Sequence, residues 1–404
     1  MDPGDIAWVI AATALVMIMT PALGFFYGGL VRKKNLVSTL VQCMVIFSIV
    51  SLVWAFWAYS EAFAPSLYGI IGNLSKVGLN NVGASANAAY STAIPELLYF
   101  AFQLKFAAIT PALIIGAFAE RIRFKALLIF IILWTTLIYA PIAHWVWGSG
   151  GWLHSLGVID FAGGLVVHLS AGASAVAAAL VLGRRTGLQG EVRPNSIPFV
   201  ILGAAILWFG WFGFNAGSAL AANQIAVQAL VNTNLAAAAG AVSWMLVDWQ
   251  RKGKPSAVGI AIGAVCGLVA ITPAAGYVAS LPAILIGLVV GLVSNTVMGW
   301  RARTRLDDSL DVFAAHGAGS IWGVLATGIF ASTAINAAGP NGALFGNFYQ
   351  LGLEALGIVV VFAFAFSGSF VLLKIIGSFT KLRVTAGEEE TGLDMSQHGE
   401  EAYA

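Results

Sequence analysis

Residues 163–173 of the chain read Gly-Gly-Leu-Val-Val-His-Leu-Ser-Ala-Gly-Ala, and they place His168 inside a long apolar run. A second histidine, His316, lies in the sequence Asp-Val-Phe-Ala-Ala-His-Gly-Ala-Gly-Ser-Ile at residues 311–321. Each run belongs to a stretch long enough to cross a hydrocarbon core of about 30 Å as a helix. Because an unpartnered polar ring is costly in hydrocarbon, such a histidine normally marks a pathway for protons or a small polar solute.

The composition of the chain identifies the solvent in which it folds. Of its 404 residues, 59% are hydrophobic and only 9% are charged, and the mean hydropathy is +0.88. These values leave too little polar surface to cover a water-soluble globule. We therefore expect an all-α integral membrane protein. Its two cysteines, Cys43 and Cys266, lie in apolar runs and are interpreted as buried thiols.

The positions of lysine and arginine predict the topology. Eighteen of the twenty basic residues fall in six short clusters, which are Arg32 to Lys34; Arg121, Arg123 and Lys125; Arg184, Arg185 and Arg193; Arg251, Lys252 and Lys254; Arg301, Arg303 and Arg305; and Lys374, Lys381 and Arg383. Successive clusters are separated by room for two apolar spans, so all six are expected on one side of the membrane. By the positive-inside rule that side is cytoplasmic, with the N-terminus outside and the C-terminus inside.

This pattern predicts eleven transmembrane helices. Their expected bounds are residues 6–30, 37–59, 94–119, 126–147, 161–182, 197–219, 227–248, 257–276, 280–300, 312–333 and 347–374. Eleven spans divide into five, five and one, and two halves of five spans must be inserted with opposite orientation, as in many transporters with inverted repeats. His168 and His316 then occupy the fifth and the tenth span, the corresponding positions of the two halves.

Several motifs carry a resemblance to a known family. The chain contains Phe102-Gln103, Phe-Ala-Ala-Ile-Thr-Pro-Ala-Leu from Phe106, Ala-Glu-Arg at 119–121, His-Trp-Val-Trp-Gly at 144–148, Asp-Phe-Ala-Gly-Gly-Leu-Val-Val-His at 160–168, Trp-Phe-Gly-Phe-Asn-Ala-Gly-Ser at 211–218, and Asp-Val-Phe-Ala-Ala-His-Gly at 311–317. Together they resemble the ammonium transporter family, Amt with its MEP and Rh relatives, and most closely its prokaryotic Amt type. The resemblance implies a homotrimer in the plasma membrane whose subunits each conduct ammonium or ammonia, with no enzymatic activity, cofactor, metal or nucleic-acid partner.

The resemblance also implies roles for individual residues. Trp147, Ser218 and Phe102 are expected to recruit ammonium at the outer mouth, where aromatic faces attract a partly dehydrated cation. Phe106 and Phe214 are expected to form a hydrophobic gate below this site. His168 and His316 are expected to be the family's twin histidines, hydrogen bonded to each other in a narrow lumen. Without the motifs, Trp147 is an interfacial aromatic residue, Ser218 a helix-packing hydroxyl, and the two histidines unrelated core residues.

Three charged residues have their own predictions. Asp160 lies at the start of a span and is expected to act structurally and electrostatically, as a helix cap that favours a cation nearby. Asp311 is expected to cap the corresponding helix on the inner side. Lys105 is one of two basic residues away from the cytoplasmic side, and it is interpreted as a structural residue that snorkels or pairs toward the outer face, with Glu96 as a partner. Were it to point into the outer vestibule instead, it would repel the substrate.

The composition changes near the C-terminus, which divides the chain into two parts. Residues 1–379 are predicted to form the transmembrane domain, and residues 380–404 an acidic cytoplasmic tail that is mobile by its composition. The resemblance implies that such a tail docks across subunits and, in many prokaryotic members, meets a PII-type signalling protein. An alternative function is an ammonium sensor or transceptor that signals through this tail. A haem or metal enzyme is disfavoured because no helix carries the repeated histidine spacing of such sites.

Overall fold

The computed structural model describes residues 1–187 and 193–403, which form a bundle of long helices. Within these residues, ten helices are long and apolar enough to cross a membrane, and one further apolar helix has 15 residues. In chain order they are α1 (Pro3–Leu30), α2 (Lys33–Phe63), α3 (Glu96–Phe118), α4 (124–147), α5 (Gly164–Leu182), α6 (Ile197–Gly217), α7 (Gln224–Lys252), α8 (Ala257–Ile271), α9 (Ser280–Arg301), α10 (Phe313–Phe330) and α11 (Phe348–Phe379). The chain is a multi-pass membrane protein.

Side-chain caps begin several of these helices. The Asp2 carboxylate accepts hydrogen bonds from the backbone N–H groups of Gly4 and Asp5 at the start of α1. Ser256 caps α8 in the same way through its hydroxyl. At the C-terminal end of α7, Gly253 adopts the left-handed conformation with φ 73°. This conformation costs glycine little free energy, and it ends the helix. These local signals fix where the long apolar segments begin and end.

Four of the described membrane helices contain a π-helical turn. These turns are Trp54–Ala58 in α2, Thr135–Tyr139 in α4, Gly164–Leu169 in α5 and Phe313–Ala318 in α10. Turns of this kind are rare, and they are found frequently at functional sites. Those of α5 and α10 each contain one of the two histidines singled out by the sequence.

Small residues let the helices approach closely. A Cβ on Gly213 of α6 would lie 2.7 Å from the Ala12 carbonyl oxygen of α1, and a Cβ on Gly240 of α7 would lie 2.4 Å from the Gly263 carbonyl oxygen of α8. A Cβ on Gly172 of α5 would lie 2.5 Å from the backbone of α10. Backbone contact at glycine replaces hydrophobic burial as a source of helix association in lipid.

One face of the bundle carries the start of α1 and two short antiparallel hairpins, and we call it the N-terminal face. The hairpins pair Ser66–Leu67 with Ile71–Gly72, and Ala86–Asn87 with Ser91–Pro95. A buried ion pair between Lys76 and Glu96 ties this loop to the start of α3, and the Glu96 carboxylate also accepts a hydrogen bond from the Tyr59 hydroxyl at 3.0 Å. A buried charge is tolerated because it is paired and hydrogen bonded.

The opposite face carries the six basic clusters, and we call it the basic face. Buried Glu120 forms ion pairs with Arg32 at 2.7 Å and with Arg185 at 3.2 Å. Arg185 also forms an ion pair with Asp307 at 2.9 Å. Burial lowers the pKa of Arg185, but the carboxylates of Asp307 and Glu120 outweigh it, so the net direction is upward. This network joins four inter-helix loops, which gives the face a defined shape.

The tail packs onto the basic face, although its composition predicted mobility. Residues Ala386–Thr391 and Asp394–His398 form two short helical turns. The Asp394 carboxylate accepts hydrogen bonds from the N–H groups of Val37 at 3.0 Å and Ser38 at 2.7 Å, near the start of α2. A carboxylate at a helix start satisfies free amides and the helix dipole. Of the predicted tail, Ala404 lies outside the described residues.

Candidate functional site

The two histidines meet in the centre of the bundle. The Nδ1 atoms of His168 and His316 lie 3.2 Å apart, and the two rings are nearly parallel, with an interplanar angle of 18°. Both rings are buried. Because one Nδ1 must donate and the other accept, this contact holds one proton between two neutral rings. Close contact of α5 with α10 at Gly172 and Gly317 brings the rings together.

A buried aspartate precedes each histidine by eight residues. The Asp160 carboxylate accepts hydrogen bonds from four successive backbone N–H groups, those of Gly163 (2.8 Å), Gly164 (2.7 Å), Leu165 (2.8 Å) and Val166 (3.2 Å). Asp308 does the same for α10, accepting from Val312 at 3.1 Å and Phe313 at 2.7 Å. Charge-assisted caps of this kind fix the start and direction of each histidine-bearing helix.

The prediction that Asp311 caps α10 is therefore wrong. Asp311 has φ 56° and forms a two-point ion pair with Arg301, at 2.7 and 2.8 Å. Its side chain is engaged at the end of α9, while Asp308, three residues earlier, reaches the free amides. The sequence Asp307-Asp308-Ser309-Leu310-Asp311 offers three candidate caps, and only the backbone path distinguishes them.

Two phenylalanines continue the column of rings from the histidines toward the N-terminal face. The ring centroids of Phe106 and Phe214 lie 4.3 Å apart, and Phe214 lies 5.9 Å from the His168 ring. Both phenylalanines are buried. The column Phe106, Phe214, His168, His316 therefore crosses the middle of the bundle, apolar at one end and polar at the other.

A cavity of about 240 Å³ lies at the Phe106 end of this column, on the N-terminal face, and we call it the outer vestibule because the charge pattern predicts that this face lies outside. The lining includes the predicted residues Phe102, Trp147 and Ser218. The Trp147 ring stands edge-on to Phe106 at 5.9 Å, and its Nε1–H donates to the Asp160 carbonyl oxygen at 2.8 Å. The Asp160 loop thus holds both the helix start and the indole.

The Ser218 hydroxyl is oriented by its own helix. It donates its hydrogen to the Phe214 carbonyl oxygen at 2.8 Å. Since a hydroxyl has one hydrogen and two lone pairs, the atom available to the vestibule is an acceptor. An acceptor beside the faces of Trp147 and Phe102 suits a small cation with N–H donors.

Eight further residues line the outer vestibule and were not among the predicted site residues. They include Tyr90, Tyr99, Gln103 and His154. The rings of Tyr90 and Tyr99 stack at 4.9 Å, and Gln103 donates to the Tyr99 hydroxyl at 3.1 Å. Gln103 adjoins Phe102 in a quoted motif and was within reach of sequence reasoning. Tyr90 comes from the hairpin loop, where no periodicity predicts its position.

Lys105 pairs differently from the prediction. The predicted partner Glu96 is taken by Lys76, so the expected Lys105–Glu96 pair is wrong. The Lys105 ammonium instead lies 5.1 Å from the centre of the Phe47 ring on α2. Such a contact stabilises a cation at a site with few anions.

A second cavity, of about 380 Å³, reaches the His316 end of the column from the basic face, and we call it the inner vestibule. Its lining includes Phe26, Tyr27, Lys252, Asp311, Val312 and His316. Tyr27 is held by a hydrogen bond from its hydroxyl to the Leu113 carbonyl oxygen at 3.1 Å. Two vestibules on opposite faces thus approach the two ends of one buried column.

Two vestibules that approach one buried, narrow column from opposite faces define a membrane transport protein. Comparison with known proteins gives the family. A model of the Ammonium Transporter Family matches residues 7–403, and the chain belongs to this family. It is 46% identical to the ammonium transporter of Bacillus subtilis (strain 168) over 404 residues, covering 100% of this chain and 99% of that protein.

Solved structures agree with this assignment. The crystal structure of Saccharomyces cerevisiae Mep2 matches with a TM-score of 0.90 and 38% identity, over 96% of this chain and 91% of that one. A structure titled "Sensor Amt Protein" matches with a TM-score of 0.89 and 30% identity, over 98% of each chain. The family and the helical architecture support ammonium transport in general terms.

Proposed function

We propose that this protein captures ammonium at the outer vestibule, removes a proton on entry, and conducts ammonia past the histidine pair to the inner vestibule. The observation that carries the proposal is the buried column of four rings between the two vestibules, Phe106, Phe214, His168 and His316. The column is apolar where a charge must be excluded and polar where a small hydrogen-bonding solute needs a partner.

Recruitment rests on Trp147, Phe102 and Ser218. A cation over an aromatic face gains about 0.5–2 kcal/mol, with the larger value where water is displaced. The Ser218 oxygen supplies one acceptor, and Trp147 is held in place by its hydrogen bond to the Asp160 backbone. Asp160 itself acts structurally, because its carboxylate is committed to four backbone amides. Burial raises the pKa of Asp160, while these amides oppose that shift.

The gate consists of Phe106 and Phe214. Their 4.3 Å contact leaves no polar group to replace the water of a passing ion, so a bare charge is strongly disfavoured there. A neutral ammonia molecule pays a much smaller desolvation cost. We therefore propose that ammonium is deprotonated on the outer side of these rings, where water that enters the outer vestibule accepts the proton.

The histidine pair lines the lumen below the gate. The shared Nδ1 proton satisfies both rings without placing net charge in the membrane interior. The His168 Nε2 atom has no hydrogen-bond partner within the described residues. A passing ammonia molecule, which both donates and accepts, is a fitting partner for such an atom.

We also propose the topology predicted from the charges, with eleven crossings, the N-terminus outside and the C-terminus inside. The equal spacing of Asp160 to His168 and of Asp308 to His316 supports two inverted halves of five spans and one extra helix. Helix α8 is about 22 Å long, short for a span, and the turns that follow it would complete the crossing. Single cysteines at Leu74 and Lys254 should react with impermeant thiol reagents from opposite sides.

The assembly is proposed from the family. It comprises a homotrimer in the plasma membrane, a transmembrane domain of residues 1–379, an acidic cytoplasmic tail of residues 380–404, and a PII-type protein as partner. The packing of Asp394 against α2 supports a tail that reports on the inner loops. Native mass spectrometry of the detergent-purified protein would measure subunit number, and adding a PII-type protein would test the partner.

A sensor or transceptor is the second candidate, favoured by the similarity to the structure titled "Sensor Amt Protein" and by the docked tail. The two functions differ in flux. The deciding experiment measures methylammonium uptake and the rise of internal pH that ammonium evokes in proteoliposomes, with potassium as the comparison ion. Transport requires a saturable ammonium response that is lost in His168→Leu, whereas a protein that binds ammonium without flux is a sensor.

A further inference from the structure

Next to the inner vestibule, the basic face contains another cavity, and this one carries an excess of positive charge. Its volume is about 590 Å³. Six basic side chains line it, Arg184, Arg185, Arg251, Lys252, Arg301 and Arg303, against the two carboxylates Asp307 and Asp311. An excess of positive charge repels ammonium, so the conduction of ammonium does not explain why this excess is present. We call this space the basic cavity.

Three of the six cations are neutralised by ion pairs. Arg185 pairs with Asp307 and Arg301 with Asp311, as described above, and Lys252 pairs with Asp248 at 2.9 Å. Within residues 1–187 and 193–403, Arg184, Arg251 and Arg303 form no ion pair. Among the described residues, the cavity therefore combines three paired cations with three guanidinium groups that form no ion pair.

Arg251 is oriented without being neutralised. Its guanidinium donates to the Asn295 side-chain oxygen at 2.8 Å, and the Asn295 amide in turn donates to Asp248 at 3.3 Å. A neutral amide thus holds the guanidinium in one direction and leaves its charge uncompensated. Pre-oriented guanidinium groups match phosphate oxygens with paired hydrogen bonds.

We infer that the basic cavity binds a phosphate-bearing anion. The uncompensated arginines supply the donors, and a volume of about 590 Å³ leaves room for an organic group beside the phosphate. Met298 and Leu306 supply apolar lining for that group. This inference goes beyond the proposed function and does not depend on which nitrogen species crosses the membrane.

The phosphate has two possible sources, which share this chemistry. One is a soluble phosphate compound of nucleotide size. The other is the headgroup of an anionic lipid, because the ends of α7 and α9 next to the cavity carry exposed Trp249 and Trp300, residues typical of the membrane interface.

The position of the cavity gives binding a consequence. Arg185, Lys252, Ser309 and Asp311 line both the basic cavity and the inner vestibule. An anion held here therefore lies at the mouth of the inner vestibule, and this proximity would let it alter the release of ammonia or ammonium from that vestibule.

The test uses the purified full-length protein and two probes. ATP without magnesium is titrated by calorimetry in detergent, and thermal stability is compared in nanodiscs of phosphatidylcholine with and without phosphatidylglycerol. The test variant is Arg251→Gln with Arg303→Gln. The control is Lys125→Gln with Lys381→Gln, which removes two charges from the same face outside the cavity. Arg251→Lys with Arg303→Lys keeps the charge and removes the fork geometry, and it serves if the glutamine variant does not fold.

Each outcome either supports or overturns the inference that the basic cavity binds a phosphate group. Saturable ATP binding that weakens about tenfold or more in the arginine-to-glutamine variant, and persists in the control, supports a soluble ligand. Stabilisation by phosphatidylglycerol alone, with the same dependence on the variants, supports a lipid headgroup, and a response to both probes supports the shared phosphate site. The inference is overturned if neither ATP nor phosphatidylglycerol has an effect. It is also overturned if the arginine-to-glutamine variant and the control respond equally to the probes.

Discussion

Asp160 and Asp308 occupy equivalent positions in two helices, each buried and each eight residues before a histidine. Each carboxylate caps a helix that begins with, or immediately before, a π-helical turn. The histidine rings then meet because both helices start at the right depth and their glycines touch. Placement of the pair is thus a property of the two helix starts as much as of the histidines.

The first prediction concerns pH and the stability of the Asp308 cap. Burial, with a contribution from Asp311, raises the pKa of Asp308 from 3.8 to about 6. Between these values the folded state binds more protons than the unfolded state, so this group lowers stability as pH rises through about 4 to 6, by about 3 kcal/mol in all. Thermal denaturation in detergent should show a loss of stability with rising pH over this range that is smaller in Asp308→Asn than in the wild type. Glu400→Gln, at an exposed site, is the control, and parallel curves for wild type and Asp308→Asn would refute the prediction.

The second prediction concerns the histidine pair. Replacing either ring by leucine, in His168→Leu or His316→Leu, removes the polar lining of the lumen and leaves its partner without the 3.2 Å hydrogen bond. Losing a buried hydrogen-bond partner costs about 1–3 kcal/mol, and conduction should fall at least tenfold while the oligomer still assembles. Methylammonium uptake and size-exclusion chromatography measure the two effects. His398→Leu, in the tail, should retain uptake, and wild-type uptake in both pore variants would remove the histidines from the mechanism.

The third prediction concerns the gate. Phe106→Ala and Phe214→Ala should widen the apolar constriction and raise osmotic water permeability several-fold, because water can then replace the lost rings. Stopped-flow light scattering of proteoliposomes measures it. Phe209→Ala lies on the same helix as Phe214 but is exposed on the surface of the bundle, and it should have no effect. Unchanged water permeability in the two gate variants counts against a phenylalanine gate.

The fourth prediction concerns recruitment by Trp147. Trp147→Leu removes the aromatic face, and the half-saturating ammonium concentration should rise by a factor of about 2 to 30, which corresponds to about 0.5–2 kcal/mol. Trp147→Phe keeps a face but loses the N–H donated to Asp160, so a smaller rise is expected. The rate at which ammonium raises the internal pH of proteoliposomes, measured over a range of ammonium concentrations, separates the two variants. Trp249→Leu, at an exposed site, is the control, and equal rates in Trp147→Leu and wild type at every concentration would contradict the cation–π role.

The fifth prediction concerns the tail. Asp394→Ala removes the two hydrogen bonds to Val37 and Ser38, so residues 386–398 should exchange their amide hydrogens faster, by about tenfold or more. Hydrogen exchange with mass spectrometry measures this. Glu401→Ala, beyond the docked turns, should leave the exchange unchanged. Rapid exchange already present in the wild type would favour the mobility expected from composition.

The membrane class and the rough positions of the long apolar helices could be predicted from the sequence. The bilayer imposes a length and a composition on each helix, and both are visible in one chain. The motifs around Phe102, Trp147, Asp160 and Ser218 drew attention to residues that do lie together. The predictions that failed, Asp311 as a cap and Glu96 as the partner of Lys105, involve charges near loops, where several candidates lie within a few residues.

The sequence alone therefore determined that this protein lies in a lipid membrane and where its long helices run. It also determined that two histidines lie within those helices, where a polar ring costs free energy. Only the tertiary structure decided which atoms meet: Nδ1 of His168 with Nδ1 of His316, Asp308 with the start of α10, Lys76 with Glu96, and the tail with α2. The physical reason is the distance along the chain over which each kind of interaction acts. Helix formation and membrane insertion depend on neighbours along the chain, whereas hydrogen bonds and ion pairs depend on fractions of an ångström between segments far apart in it.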